Sequence, residues 1–127
     1  MVILDTSLMV DVSRKKEYAL DLIASYQEKE RIKTTIITQY EMLRSAPEAY
    51  TNYITSLLNR FIILDFGTDA LTEAVKIYRK LKAKGTLINE LDIMIAGIAA
   101  ASNEVLITKD KDFLNLKSDK IIVLQKQ

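Results

Sequence analysis

The chain has no histidine and no cysteine, one proline and only three glycines. Histidine is the side chain whose unperturbed pKa suits proton transfer near neutral pH. Its absence excludes histidine-dependent triads and histidine-based ribonuclease chemistry. Any catalysis must use carboxylates, lysines, hydroxyls or a water activated by a metal. Without cysteine there is no disulfide, no thiolate nucleophile and no cysteine-type zinc site. Neither G-x-G-x-x-G nor a P-loop occurs, so a dinucleotide- or P-loop-type phosphate cradle is unsupported. No apolar run nears the ~18 residues of a transmembrane helix. The first apolar run is broken at once by Asp5, unlike a secretory signal. These absences lead us to expect a cytoplasmic location and no membrane partner. The net charge of +1 carries no global nucleic-acid signature, so a basic patch would have to be local.

What is present is an ordinary globular balance, 49% hydrophobic and 28% charged over 127 residues, enough for a single domain spanning 1–127. Val2-Ile3-Leu4 reads as a short buried strand that stops at Asp5. Thr6-Ser7 then opens a short helix through Leu8, Met9, Val10 and Val12, and Tyr18 to Glu30 has helical spacing. The second strand is expected over Lys33 to Thr38, centred on Ile36-Ile37, with Thr38-Gln39-Tyr40-Glu41 as a capping box. Pro47 suits the first turn of a helix running to about Arg60. Phe61 to Leu64 is the third strand. Thr68 or Asp69 caps a long helix with Leu71, Ala74, Val75, Tyr78 and Leu81 on one side, closed by Gly85. Asn89 caps an almost wholly apolar, hence buried, helix from Glu90 to about Ser102, where Ala96 and Gly97 permit close packing. Val105 to Thr108 and Ile121 to Leu124 are the last two strands. Strands separated by helices imply an α/β fold: an open, mostly parallel five-stranded sheet with helices on both faces.

In such a sheet, ligands bind outside the carboxyl ends of the strands. Asp5 ends the first strand, Glu41 lies a helical turn past the second, and Asp92 sits in the first turn of the buried helix. Asp110 follows the fourth strand, with Asp112 two residues on. Each has a structural explanation: Asp5 as a helix cap, Glu41 as a capping-box acid, Asp92 as the N3 partner of Asn89, Asp110 as an Asx-turn former. Gathered at one edge, however, they repel, and like charge raises a carboxylate's pKa. A cation relieves this, and oxygen-only ligands select hard ions such as Mg²⁺ or Mn²⁺. Paired metals held by carboxylates support in-line attack on a phosphodiester. Thr6 and Thr108 are placed to orient carboxylates. Arg44 neutralises Glu41 or touches a phosphate, and Lys109 and Lys111 flank Asp110 where substrate phosphates would lie. Lys76, Arg79, Lys80, Lys82 and Lys84 read as a solvated helix end, with an RNA track as the alternative.

The contexts Ile3-Leu4-Asp5-Thr6-Ser7, Glu41, Leu91-Asp92-Ile93-Met94-Ile95-Ala96 and Ile107-Thr108-Lys109-Asp110-Lys111-Asp112-Phe113 together resemble a PIN-domain nuclease. The lone short domain is similar to the VapC-type toxins of prokaryotic toxin–antitoxin pairs. That resemblance implies a three-layer α/β/α fold and a Mg²⁺- or Mn²⁺-dependent endoribonuclease with catalytic acids at Asp5, Glu41, Asp92 and Asp110. It also implies a homodimer and a cognate antitoxin. Members often carry Asn at the position of Asp110 and an acid at that of Asp112, so either of the two can supply the fourth acid. The rival readings are a PIN-domain RNA-processing nuclease, a silent PIN scaffold, and a phosphoacceptor receiver domain with Asp65 as acceptor and Lys109 as its phosphate-sensing lysine.

Overall fold

The computed structural model describes residues 1–125. Strands β1 (Val2–Leu4), β2 (Lys33–Thr35), β3 (Ile62–Leu64), β4 (Val105–Thr108) and β5 (Ile121–Val123) form one sheet in the order β3-β2-β1-β4-β5. Every pairing is parallel, with Leu4 opposite Ile107 and Thr35 opposite Leu64. Successive strand side chains point to opposite faces, and the two cores follow from that alternation. Val2, Leu4 and Ile107 join Leu8, Met9, Ile23 and Leu58 on one face. Ile3 and Leu106 join Ala70, Ile95, Ile98 and Phe113 on the other. A sheet buried on both sides explains why β1, β3 and β5 are unbroken apolar runs and β4 one as far as Thr108; β2, Lys33–Thr35, is not, and its buried Thr34 hydroxyl donates to Leu4 O at 2.7 Å.

The helices are α1 (Thr6–Ser13), α2 (Glu17–Gln27), α3 (Ile36–Ser45), α4 (Thr51–Leu58), α5 (Thr68–Lys84) and α6 (Glu90–Ser102). Two 3₁₀ turns, Glu48–Tyr50 and Lys111–Leu116, complete the described elements. Among these residues no helix is long and apolar enough to cross a membrane.

The structure moves three of the expected boundaries. Ile36 and Ile37 are helical rather than the centre of β2, because Thr35 is the N-cap of α3: its Oγ1 accepts from Thr38 N at 3.1 Å. The capping box over Thr38–Glu41 is therefore not formed, and Glu41 sits beyond the first turn of α3. Pro47 precedes the 3₁₀ turn Glu48–Tyr50, and α4 begins only at Thr51. The cap position of α5 is Gly67, without a side-chain cap bond from Thr68 or Asp69.

The buried seam of α5 also differs. It runs through Ala70, Ala74 and Leu81 with Ile77 partly covered, and leaves Leu71 and Val75 exposed. The cause is on α6, where Gly97 brings that helix so close that a Cβ there would stand 2.7 Å from the Ala70 carbonyl oxygen and 2.8 Å from Ala74 Cβ. Only alanines fit opposite, and the stripe narrows to their side of α5. Gly85 ends α5 at φ +69, the left-handed conformation glycine adopts without strain. Asn89 caps α6 as expected, accepting from Leu91 N at 2.8 Å.

The chain builds outward from β1 through β2 to β3, then returns to β4 and β5 on the other side of β1. The switch point thus falls between β1 and β4, whose carboxyl ends lead into Asp5 and Asp110. This order rules out the receiver reading. A receiver-type order, β2-β1-β3-β4-β5, has its third strand at the centre, whereas here β3 is an edge strand and Asp65 behind it is exposed.

Candidate active site

Asp5 is the N-cap of α1 and is 2% exposed. Its Oδ1 accepts from Leu8 N at 3.1 Å and from Ser7 Oγ at 2.7 Å, and its Oδ2 accepts from the Thr108 hydroxyl. The cap reading is thus realised, and it does not exhaust the residue. Burial pushes the Asp5 carboxyl up to about 6, against the lowering effect of those bonds, with Asp110's charge adding to the rise. Thr108 in turn accepts from Asp110 N at 3.0 Å, so one hydroxyl ties the ends of β1 and β4 together.

Glu41 reaches the same edge from α3. Thr6 Oγ1 donates to its Oε1 at 2.7 Å and lies 3.0 Å from Thr38 Oγ1. Arg44 lies 3.9 Å from Glu41 Oε2 and stacks over the Tyr40 ring at 5.1 Å, an exposed pairing of the kind that contributes little to stability. Asp110 Oδ1 accepts from Asp112 N at 2.9 Å, capping the 3₁₀ turn that follows. Asp110 is half-buried and Asp112 exposed, so of the two Asp110 is the one the fold holds against the cluster.

Asp92 is the exception. Among the described residues no hydrogen bond reaches its carboxylate, although Asn89 caps the helix it stands on. Burial, then the charges of Asp110, Asp5, Glu41 and Asp112 in that order, push it up to about 7. Four acids from three segments of the chain therefore bear electrostatically on one half-buried carboxylate. No bond within the described fold relieves it.

The donors are all oxygen and all anionic, the set that suits a hard divalent cation. Among the described residues no three acidic side chains close around a single point. Mg²⁺ does not require that, since it keeps several waters and takes only one or two carboxylates directly. The donor set and its unrelieved repulsion fit such an ion.

Sequence reasoning missed Asp11 and Tyr18. Asp11 on α1 is 1% exposed and receives the Tyr18 hydroxyl and the Lys109 ammonium on Oδ2, with Lys16 Nζ 3.4 Å from Oδ1. An acid inside the apolar stripe Leu8-Met9-Val12 was the available signal, since acids are rarely buried unless paired. Lys111 is exposed beside Asp110. On α5, Lys76 pairs with Glu73 at 3.4 Å and Lys82 stands 5.9 Å over Tyr78.

The profile of the PIN domain matches residues 2–118, and the chain belongs to that family. It is 29% identical over 111 residues to ribonuclease VapC1 of Methanocaldococcus jannaschii, covering 87% of this chain and 76% of that protein. Among solved structures it is similar to DNA-bound VapBC from Salmonella typhimurium, with 25% identity, a TM-score of 0.82 and coverage of 97% and 96% of the two chains. VapBC-1 from nontypeable Haemophilus influenzae shares the fold at 23% identity and TM-score 0.81, over 97% and 98% of the chains.

Proposed function

We propose that this chain is a divalent-metal-dependent endoribonuclease, the toxin of a toxin–antitoxin pair, with Mg²⁺ or Mn²⁺ held by Asp5, Asp92 and Asp110 and with Glu41 as the further catalytic acid. Asp112, exposed on the next turn, is the alternative to Asp110. The observation that carries this reading is Asp92, a half-buried carboxylate without a hydrogen bond, raised to about 7 by burial and four neighbouring acids. A purely structural acid would be paired, as Asp11 is; this one has only the charge to offer.

When bound, such a cation neutralises phosphate charge and lowers the pKa of water for in-line attack on a phosphodiester. The chain's own part is positioning. Thr108 and Ser7 fix the rotamer of Asp5, and Thr6 fixes that of Glu41. Such hydrogen bonds hold acidic ligands in place and are commonly worth ten- to a hundredfold in metal affinity or activity, on the order of 1–3 kcal/mol. Lys109 and Lys111 bring positive charge to the substrate side of Asp110. The relatives support the assignment: one is a ribonuclease, and VapBC-5 from Mycobacterium tuberculosis, 25% identical with a TM-score of 0.69, is a member of the VapBC family of toxin–antitoxin systems. On this reading the partners are RNA, a cognate antitoxin and a second copy of the chain, and the setting is the cytoplasm.

Purified protein should cleave RNA in Mg²⁺ or Mn²⁺ and stop in EDTA, and Asp92→Asn should lower the rate at least a hundredfold with an unchanged circular dichroism spectrum. A silent scaffold gives no cleavage in any metal. Cleavage that persists in EDTA and is lost with the chain itself would sink the metal dependence.

A further inference from the structure

At the end of β4 lies a cleft of about 830 Å³ whose lining includes Lys16, Lys109 and Lys111 together with the acids Asp11, Glu17 and Asp110. Asp110 belongs to the proposed metal site, but Asp11 and the two lysines paired with it do not. At its floor is Asp11, 1% exposed, whose desolvation has to be offset by paired cations or hydrogen bonds. It has more than it needs. Lys109 and Tyr18 both donate to Oδ2, and Lys16 Nζ lies 3.4 Å from Oδ1. One carboxylate thus holds two ammonium groups and leaves the group with net positive charge. The Lys109 and Lys16 side chains remain 38% and 48% exposed to the cleft's solvent.

Lys109 is fixed at its other end too. Its backbone N–H donates to Ser7 Oγ at 3.3 Å, and that hydroxyl donates to Asp5 Oδ1 at 2.7 Å. The lysine therefore stands between Thr108 and Asp110 with its backbone tied to the proposed metal site and its ammonium tied to Asp11. An ammonium has three donors, and Asp11 takes one. A tether between α1 and the end of β4 would require a single cation; the second lysine adds charge that the tether does not use.

We propose that Asp11, with Tyr18, is a positioning residue that presets Lys109 and Lys16 as a phosphate-holding arm on one side of the acid cluster. This rests on the RNA-cleaving reading and adds to it where the flanking phosphate is held. Ordering a lysine before the substrate arrives removes part of the entropic cost of binding.

The test combines steady-state cleavage of a single-stranded oligoribonucleotide in Mn²⁺ with fluorescence anisotropy of the labelled oligonucleotide on Asp92→Asn protein. Removing a negative charge from an RNA cleft should, by charge count alone, tighten binding. A positioning role requires the reverse. Asp11→Asn is expected to raise KM about tenfold with kcat within about twofold, the pattern of lost uniform binding. Lys109→Gln should match it and lower the slope of log affinity against log salt by about one, while Asp11→Asn leaves that slope unchanged. The double variant should be no weaker than Lys109→Gln alone, and Lys109→Arg should restore KM. A purely structural Asp11 lowers the melting temperature and leaves KM and oligonucleotide affinity where they were, and either that or tighter binding overturns the proposal. Cleavage with an unmoved KM removes the arm and keeps the nuclease. Lysine-dependent RNA binding without cleavage does the opposite, and neither binding nor cleavage removes both.

Discussion

Asp92 concentrates the chemistry of the molecule in one side chain. Its folded-state pKa, about 7, stands above the ordinary 3.8. The native state therefore holds a proton that the unfolded state has released, and stability falls as pH rises from about 3.8 to about 7. Asp5, raised to about 6, adds a fall in the same direction over a narrower window. Asp92→Asn removes the repulsion without removing the shape. In EDTA at pH 8 it should melt several degrees above wild type, at about 4 °C per kcal/mol for a domain of this size. At pH 4 the difference should vanish. Metal reverses the order, because an ion bound only by the native state adds about 2.7 kcal/mol at a hundredfold excess over Kd, and the variant lacks a ligand. Thermal melts of both proteins in EDTA and Mn²⁺ at the two pH values check this; an unchanged ranking throughout would place Asp92 outside any metal site. Asp5 is the poorer probe, since Asp5→Asn also disturbs the bonds to Leu8, Ser7 and Thr108. Asp5 and Asp110 could be singled out in the sequence because each closely follows a strand, whereas Glu41 and Asp92 stand on helices. Asp11 could not be, because its partners Tyr18 and Lys109 lie 7 and 98 residues away and only the folded chain brings them together.

At the scale of elements, the sequence reading was right about type and order and wrong where local chemistry competed with pattern. Ile36-Ile37 is a β-branched pair that propensity assigns to a strand, yet Thr35 has the hydroxyl that ends β2 and starts α3. Thr35→Ala should cost about 1 kcal/mol, the loss of an N-cap, measured by urea unfolding. The tighter constraint is the crossing of α5 and α6. Gly97→Ala adds a methyl 2.7 Å from the Ala70 carbonyl oxygen and 2.8 Å from Ala74 Cβ, distances no relaxed Cβ adopts. The helices must separate, at about 1–3 kcal/mol, even though alanine is the better helix former by about 1 kcal/mol. A stabilised Gly97→Ala protein would mean the crossing is looser than drawn. The same contact explains why Leu71 and Val75 could not be assigned correctly from spacing alone. A helix's buried face depends on how near its neighbour comes, and that distance was set by one glycine 26 residues on from Leu71.

For the whole molecule, the strand order is what converts scattered acids into a site, and the order was not readable from the chain. Short strands alternating with helices state that there is a parallel sheet, although β2 is not an apolar run; only pairing places β4 beside β1 and so brings Asp110 to Asp5. The exposed surface leads us to expect self-association. A stable interface takes about 800 Å² from each partner, roughly a tenth of the 7681 Å² exposed here. The stretch from the 3₁₀ turn into α4 offers aromatic side chains for that purpose: Tyr50 is 58% exposed and Tyr53 40%. Tyr18, by contrast, is half-buried with its hydroxyl on Asp11, which withdraws it from such a surface. Tyrosine is enriched in interfaces because its ring buries area while its hydroxyl stays satisfied, and Tyr53 already donates to Ser13 O at 2.8 Å. We expect a homodimer, read by light scattering as twice the 14.4 kDa of one chain. Because two identical patches meet across a two-fold axis, a charge placed in the patch is counted twice. Tyr50→Glu, at an exposed position, should leave the circular dichroism of the monomer intact and shift the mass toward 14.4 kDa. A wild-type chain that stays at the monomer mass at millimolar concentration removes the dimer, and a dimeric Tyr50→Glu moves the interface to another face.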